Sequence, residues 1–312
     1  MPAIRPLEEH DLEEAGRIVR TAFGTFFGAP DLDTFWTDRD YVYGRHGAEH
    51  VASFAVDDVV GKLAGSNFAT RWGSVGFFGP LSIRPELWNQ GLAQPLVAAV
   101  RDAFDGWGTT HDGLCTFCQS TKHVWLYQKF GFYPRFLTAL MLAPAKPGKL
   151  PENARYTALS AGDRKAVEDA TFDLTNSLYD GLDLRAEIRT CTGRGLGDAL
   201  LIWDGSRLAA FAVCHWGPAS EAGADCLFIK FAAVRPGPGA DERFARLLDA
   251  AEALTIDCGM KAVFAGINLS REEAYRQMMA RGFRSQAQIV TLHRPNEPGY
   301  SRPGVYVLDD WR

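Results

Sequence analysis

Two short runs of this chain carry groups that could do chemistry. In Leu81-Ser-Ile-Arg-Pro-Glu-Leu-Trp-Asn-Gln-Gly-Leu-Ala-Gln-Pro-Leu96 a strand ends at proline, a loop follows, and Gly91-Leu92-Ala93 opens a helix. A helix N-terminus offers unbonded N–H groups and the positive end of the peptide dipole. Small residues there let a phosphate reach the backbone. In isolation, such a start is usually only a helix that begins with small residues. The second run is His123-Val-Trp-Leu-Tyr127-Gln-Lys-Phe-Gly131-Phe132, read as a helix with Tyr127 one turn from its end. A phenol there can donate a proton or a hydrogen bond, although tyrosines on amphipathic helices also serve simply as core.

Periodicity indicates the elements that position these runs. After a short strand at residues 4–5, Leu12, Ala15, Ile18, Val19 and Ala22 share one face of a helix over 12–23. A helical or irregular stretch spans 32–43. Strands are expected at 50–56, 59–70 and 75–83, a helix at 92–107, a strand at 113–119 and a helix at 121–130. A last strand, 136–142, is expected to close this half. The second half reads similarly: a helix from Ala161, strands at 199–202, 208–215 and 226–234, and a helix from Asp241. A strand at 262–267, a helix from Arg271 and a strand near Ile289 complete it. The tail Gly304-Val-Tyr-Val-Leu-Asp-Asp-Trp311 alternates like a strand and could pair with either half. Interspersed strands and helices predict an α/β architecture, a mixed sheet covered on both faces.

The chain also repeats itself. Ile83-Arg-Pro85 recurs as Val234-Arg-Pro236, Gly131-Phe132 as Gly282-Phe283, Leu96 as Leu247 and Phe77 as Phe228, all at an offset of 151 residues. That period is the size of a domain, not of a solenoid repeat. The proline-rich stretch Ala143-Pro-Ala-Lys-Pro-Gly-Lys-Leu-Pro151 marks the join. The expected organisation is a first domain over 1–143, a linker over 144–154 and a second domain over 155–312. The length, 312 residues, suits two domains of about 150 residues each.

Taken in order, Ile83-x-Pro85, Gly91-x-Ala93 and Tyr127-x-x-x-Gly131-Phe132 resemble the GNAT-fold N-acetyltransferases, in two tandem copies covering essentially the whole chain. The resemblance implies acetyl-CoA as cofactor, with Leu81, Ser82, Ile83, Trp88, Asn89, Gln90, Gly91, Leu92, Ala93, Ser120 and Tyr127 around it. It implies that the backbone N–H near Ile83 donates to the thioester oxygen and that Tyr127 serves the departing thiolate. Two positions depart from the family pattern. Trp88 stands where Gln or Arg is usual, with Asn89 and Gln90 as substitute amides. Ser120 stands where Asn is frequent. Other readings are a longer acyl-CoA or acyl carrier protein as donor, or a CoA-binding protein without catalysis.

The second copy lacks these features. At the shared offset, Glu242 stands opposite Gly91, Phe244 opposite Ala93 and Met278 opposite Tyr127. A carboxylate repels a pyrophosphate and a thioether cannot deliver a proton. The second domain is therefore expected to be degenerate, a partner that walls the acceptor pocket. Gly193-Arg-Gly195-Leu-Gly197 imitates a dinucleotide loop but precedes a strand, so it reads as a turn.

The acceptor implied is a primary amine of a small molecule, whose proton a base must remove. The strand over 75–83 holds no carboxylate. His123, His111, Glu49 and Asp112 are the base candidates, with a water chain as the alternative. Phe26, Phe27, Phe35, Trp36, Trp72, Phe77 and Phe78 are candidates for an aromatic acceptor wall. Hydrophobic residues make up 46% of the chain and the net charge is −5, which argues against disorder and against nucleic acid or anionic lipid as partners. No apolar run of membrane-spanning length occurs, and MPAIRPLEEHDLEEA is too acidic for a secretory signal. The expected protein is cytoplasmic, a monomer or homodimer, with no metal. Its six cysteines lack zinc-type spacing. Cys115 and Cys118 are expected to point to opposite faces of one strand.

Overall fold

Leu12, Ala15, Ile18, Val19 and Ala22 are buried along α1 (Leu12–Phe27), which ends where Gly28 turns left-handed at φ 66°. This is the first helix of a computed structural model that describes residues 3–312. The first half contains β1 (Ile4–Pro6), α1, β2 (Val51–Asp57), β3 (Leu63–Trp72), β4 (Val75–Phe78), β5 (Ser82–Ile83), α2 (Ala93–Trp107), β6 (His111–Phe117), α3 (Thr121–Gln128) and β7 (Tyr133–Pro144). The second half contains α4 (Ala161–Asn176), α5 (Arg185–Gly193), β8 (Gly197–Asp204), β9 (Arg207–Gly217) and β10 (Gly223–Val234). It continues with α6 (Ala240–Asp257), β11 (Ala262–Asn268), α7 (Glu272–Ala280), β12 (Arg284–Arg294) and β13 (Val307–Leu308). Residues 32–43 are irregular, turns and bends without a helix, one of the two forms expected there.

Among the described residues the strands form one continuous sheet in the order β1-β2-β3-β4-β6-β12-β7-β11-β10-β9-β8, with β5 on β3 and β13 on β10. This order corrects the expectation that strand 136–142 closes its own half. The two halves exchange their final long strands. β12 of the second half lies against β6, from Ile289↔Phe117 to Arg294↔Asp112. β7 of the first half lies against β11, from Ala262↔Pro144 to Asn268↔Thr138. β7 and β12 also pair with each other. A strand's own side-chain pattern says which faces are covered and does not say which of two possible strands lies beside it.

Burial follows the exchange. Ala139, Met141 and Ala143 of β7 sit in the core of the second half with Phe244, Leu247 and Val263. Trp72, Val75 and Phe77 of the first half share a core with Leu184, Phe211 and Phe231 of the second. Trp72 and Phe77 therefore join the halves and do not line an acceptor pocket.

Candidate active site

The β4–β6 ladder is parallel and short: Val75↔His111, Gly76↔Asp112 and Phe77↔Gly113. Beyond Phe77 the chain turns away through a cis Gly79-Pro80 peptide and enters β5, which pairs with β3 on its other side. β6 meanwhile continues against β12. The two strands splay, and a cleft of about 870 Å³ opens there.

One wall is β5. Ser82 pairs with Ser66, and the Arg84 N–H donates to the Ala64 carbonyl at 2.8 Å. The alternation of an antiparallel ladder then turns the Ile83 N–H and carbonyl away from β3, towards the cleft. The Ile83 carbonyl is taken by the Trp88 indole N–H at 2.8 Å. Trp88, the unusual residue at the loop's first position, thus ties the loop to the strand.

The loop after β5 presents open backbone. Asn89 and Gly91 have φ of 67° and 81°. No side chain caps the start of α2. Pro95 falls in the first turn of that helix, where an N–H would lack an intrahelical partner anyway. Leu81, Ser82, Ile83, Trp88, Asn89, Gly91, Leu92, Ala93, Ser120 and Tyr127 all line the cleft, so the structure brings together every expected site residue except Gln90. The Gln90 amide points back to the Glu86 carbonyl at 3.4 Å. Lys122 and Lys129 also line the cleft, and Lys122 bonds the Asn89 side chain. Neither lysine stood out in the sequence, where surface lysines carry no spacing signal.

Tyr127 is buried to 7% exposure at the cleft floor, edge-on to Phe78 at 5.6 Å. Burial, with a smaller contribution from Cys115, pushes its phenol well above the ordinary range. It therefore stays protonated at neutral pH, as a proton donor must. Burial likewise pushes the Cys115 thiol up to about 12, so it is not a thiolate nucleophile. Cys115 lines the cleft, Cys118 is exposed, and all six cysteines are unpaired.

Of the four base candidates only His123 lines the cleft. It lies one turn before Tyr127 on α3, with its ring 5.5 Å from Phe26. Burial and the nearby Lys122 lower its pKa, so its imidazole is neutral at pH 7. The other three are engaged elsewhere. His111 pairs with His293 at 3.0 Å, Asp112 with Arg294 at 2.6 Å, and Glu49 with Arg189 at 2.8 Å.

Part of the cleft lining is aromatic. Phe26, Phe27, Trp36 and Phe78 belong to it, joined by Phe23, Tyr41 and Phe117. Phe35 stacks on Trp36 at 4.7 Å from behind. The second half completes the lining with Phe264, Ala287, Gln288, Ile289, Trp311 and Arg312. Among the described residues other than glycine, Trp36, Asn89, Asn153 and Trp311 have positive φ, and all but Asn153 line the cleft. Strained backbone of this kind persists where the surroundings over-determine it.

The equivalent gap in the second half is filled. β10 and β11 pair from Cys226↔Ala262 to Ile229↔Ala265. Where they would part, β13 lies against β10, with Ala232↔Leu308 and Ala233↔Val307. At the 151-residue offset these positions correspond to Leu81 and Ser82. The alternating tail thus pairs with the second half. Met278, opposite Tyr127, is fully buried in the core that includes Leu308.

No protein-family model matches the sequence, and no curated protein matches it. Solved structures do. An acetyltransferase candidate from Pyrococcus horikoshii is similar with a TM-score of 0.65 at 11% identity, over 99% of this chain and 94% of that one. A GCN5-related N-acetyltransferase from Sphaerobacter thermophilus gives 0.58 at 16% identity, over 93% and 94%. A tandem GNAT protein from the clavulanic acid biosynthesis pathway gives 0.55 at 12% identity, over 94% and 98%. The chain therefore has the mixed α/β fold of tandem GNAT proteins along nearly its full length. Likeness at these identities establishes the fold, and function has to be argued from the site. Among the described residues no helix is long and apolar enough to cross a membrane.

Proposed function

We propose that this protein is an N-acetyltransferase that transfers an acetyl group from acetyl-CoA to the primary amine of a small molecule, using the first-half cleft. The observation that carries this reading is the one-sided splay of β5 from β6, with the uncapped start of α2 at one end and Tyr127 at its floor. An extended thioester arm fits the gap between these strands, into which the Ile83 N–H faces. The N–H groups around Gly91, Leu92 and Ala93, with Lys122 nearby, would hold the pyrophosphate. The acetyl thioester, when bound, supplies the activated acyl group.

The chain's own residues would do the rest. The Ile83 N–H donates to the carbonyl oxygen as negative charge develops. His123 takes the proton that the amine must lose to attack. Tyr127 gives a proton or hydrogen bond to the departing thiolate. Occupation of the second gap by β13 supports one working site per chain. The decisive experiment combines calorimetric titration with acetyl-CoA, free CoA and a longer acyl-CoA with thiol-release assays over an amine panel. Tight acetyl-CoA binding with amine-dependent thiol release supports the reading. Preference for the longer acyl-CoA would change the donor. CoA binding without thiol release for any amine would leave a binding protein.

A further inference from the structure

Two arginines reach the cleft from opposite halves of the chain. Arg39 comes from the turns after α1, and Arg312 follows β13. Each is held by a neighbouring carboxylate through the same two atoms. Arg39 donates Nε and Nη2 to Asp38 at 3.0 and 3.1 Å. Arg312 donates Nε and Nη2 to Asp310. Arg312 Nη1 has no hydrogen-bond partner among the described residues, and the Arg39 guanidinium has, besides Asp38, only the Tyr41 phenol within hydrogen-bonding reach. A guanidinium fixed along one edge is pre-organised to donate to an incoming oxyanion.

The surroundings strengthen this. The Arg312 carbonyl accepts from Arg45 and Lys230, both at 2.9 Å, which anchors the residue. Its guanidinium lies 4.7 Å from the Phe264 ring centre, and that of Arg39 lies 5.8 Å from Trp36. The Tyr41 phenol is close enough to perturb both arginines, and Arg312 is close enough to perturb Cys115, beside Tyr127. Both cations line the cleft beside its aromatic rings, Arg39 next to Trp36 and Arg312 next to Phe264.

We propose that the acceptor is an amino carboxylate with an aromatic or large apolar side chain, its carboxylate bound by Arg39 and Arg312. This rests on the N-acetyltransferase reading and narrows its substrate class. The amine would reach the His123 and Tyr127 end while the side chain packs among Phe26, Phe117 and Trp36.

The test titrates L-phenylalanine, L-phenylalaninamide and phenethylamine into CoA-saturated protein, with the same series in the absence of CoA. A hydrogen-bonded charge pair is worth roughly 1.5–3 kcal/mol, or about 10- to 100-fold in affinity. L-Phenylalanine should therefore bind at least tenfold tighter than the other two. Arg39→Gln should lower L-phenylalanine affinity to that of the amide, and Arg39→Lys should restore part of the difference. Equal binding of acid and amide, or no binding of any of the three, overturns the proposal. Failure of CoA itself to bind would sink the acetyltransferase reading instead, and the acid-over-amide preference would then be read from the CoA-free series.

Discussion

Leu308 pairs with Ala232 on the side of β10 that, in the first half, is open cleft beside Leu81. One segment near the end of the chain thus plugs the second gap with β13 and then, through Trp311 and Arg312, walls the first. The plug is physical, so the binding stoichiometry should be one CoA per chain by calorimetry. Two equivalent sites would contradict it. Gly91→Glu should abolish binding, because φ there is 81° and a carboxylate would face the pyrophosphate.

Trp88 gives a second measurable consequence. Its indole bond to Ile83 fixes the loop against β5. Trp88→Phe keeps most of the apolar packing and removes the donor. One neutral hydrogen bond is worth roughly 0.5–1.5 kcal/mol, so acetyl-CoA affinity should fall by up to about tenfold. Unchanged affinity in calorimetry would mean the loop holds its shape without this bond.

Strand exchange predicts that neither half stands alone. A fragment ending at Ala143 loses β12 from the edge of β6 and leaves β7 without either neighbour. Ala139, Met141 and Ala143 would be uncovered together. Such an exposed apolar edge favours aggregation. Size-exclusion chromatography should show aggregates or an unfolded chain, and acetyl-CoA binding should be lost. A monodisperse, active fragment would require β7 to fold back onto β6.

The loop, helix start and tyrosine on one side of the cleft were legible because backbone chemistry constrains sequence locally. Gly91 meets a positive φ, and Tyr127 keeps its distance from Gly131. The aromatic and arginine lining was not. Arg39 and Arg312 lie far apart in sequence, and only the exchange of β7 and β12 together with the β13 plug brings their surroundings together. Trp72 and Phe77 look like Phe26 and Trp36 on composition, yet they pack on Phe231 and Phe211 across the join of the halves. Periodicity places a residue on a face of its own strand but does not name the strand's neighbour.

His123 predicts the pH profile. Its pKa is lowered, so the neutral, proton-accepting form persists below the ordinary histidine value of about 6.5. Activity should stay level through neutral pH and fall on the acid side, with a midpoint below that value. His123→Gln should remove this acid limb and reduce turnover by roughly 10²–10⁴-fold. An unaltered profile in the variant would hand the base role to water.

Tyr127 offers the sharpest test of which half works. Its hydroxyl has no hydrogen-bond partner among the described residues, and its ring packs against Phe78. Tyr127→Phe therefore keeps the packing and breaks no internal bond, so the melting temperature should hold. Loss of a positioned proton donor should lower turnover by roughly 10²–10⁴-fold. Acetyl-CoA affinity should barely change, since the phosphate-facing loop is intact. The control is Met278→Leu at the equivalent place in the second half. Met278 is fully buried, so a volume-conserving change is needed there; phenylalanine would overpack the core. That variant should keep full turnover. Unchanged turnover in Tyr127→Phe, measured with a true acceptor, would return the tyrosine to a packing role. A dead but folded Met278→Leu would place the working site in the second half after all.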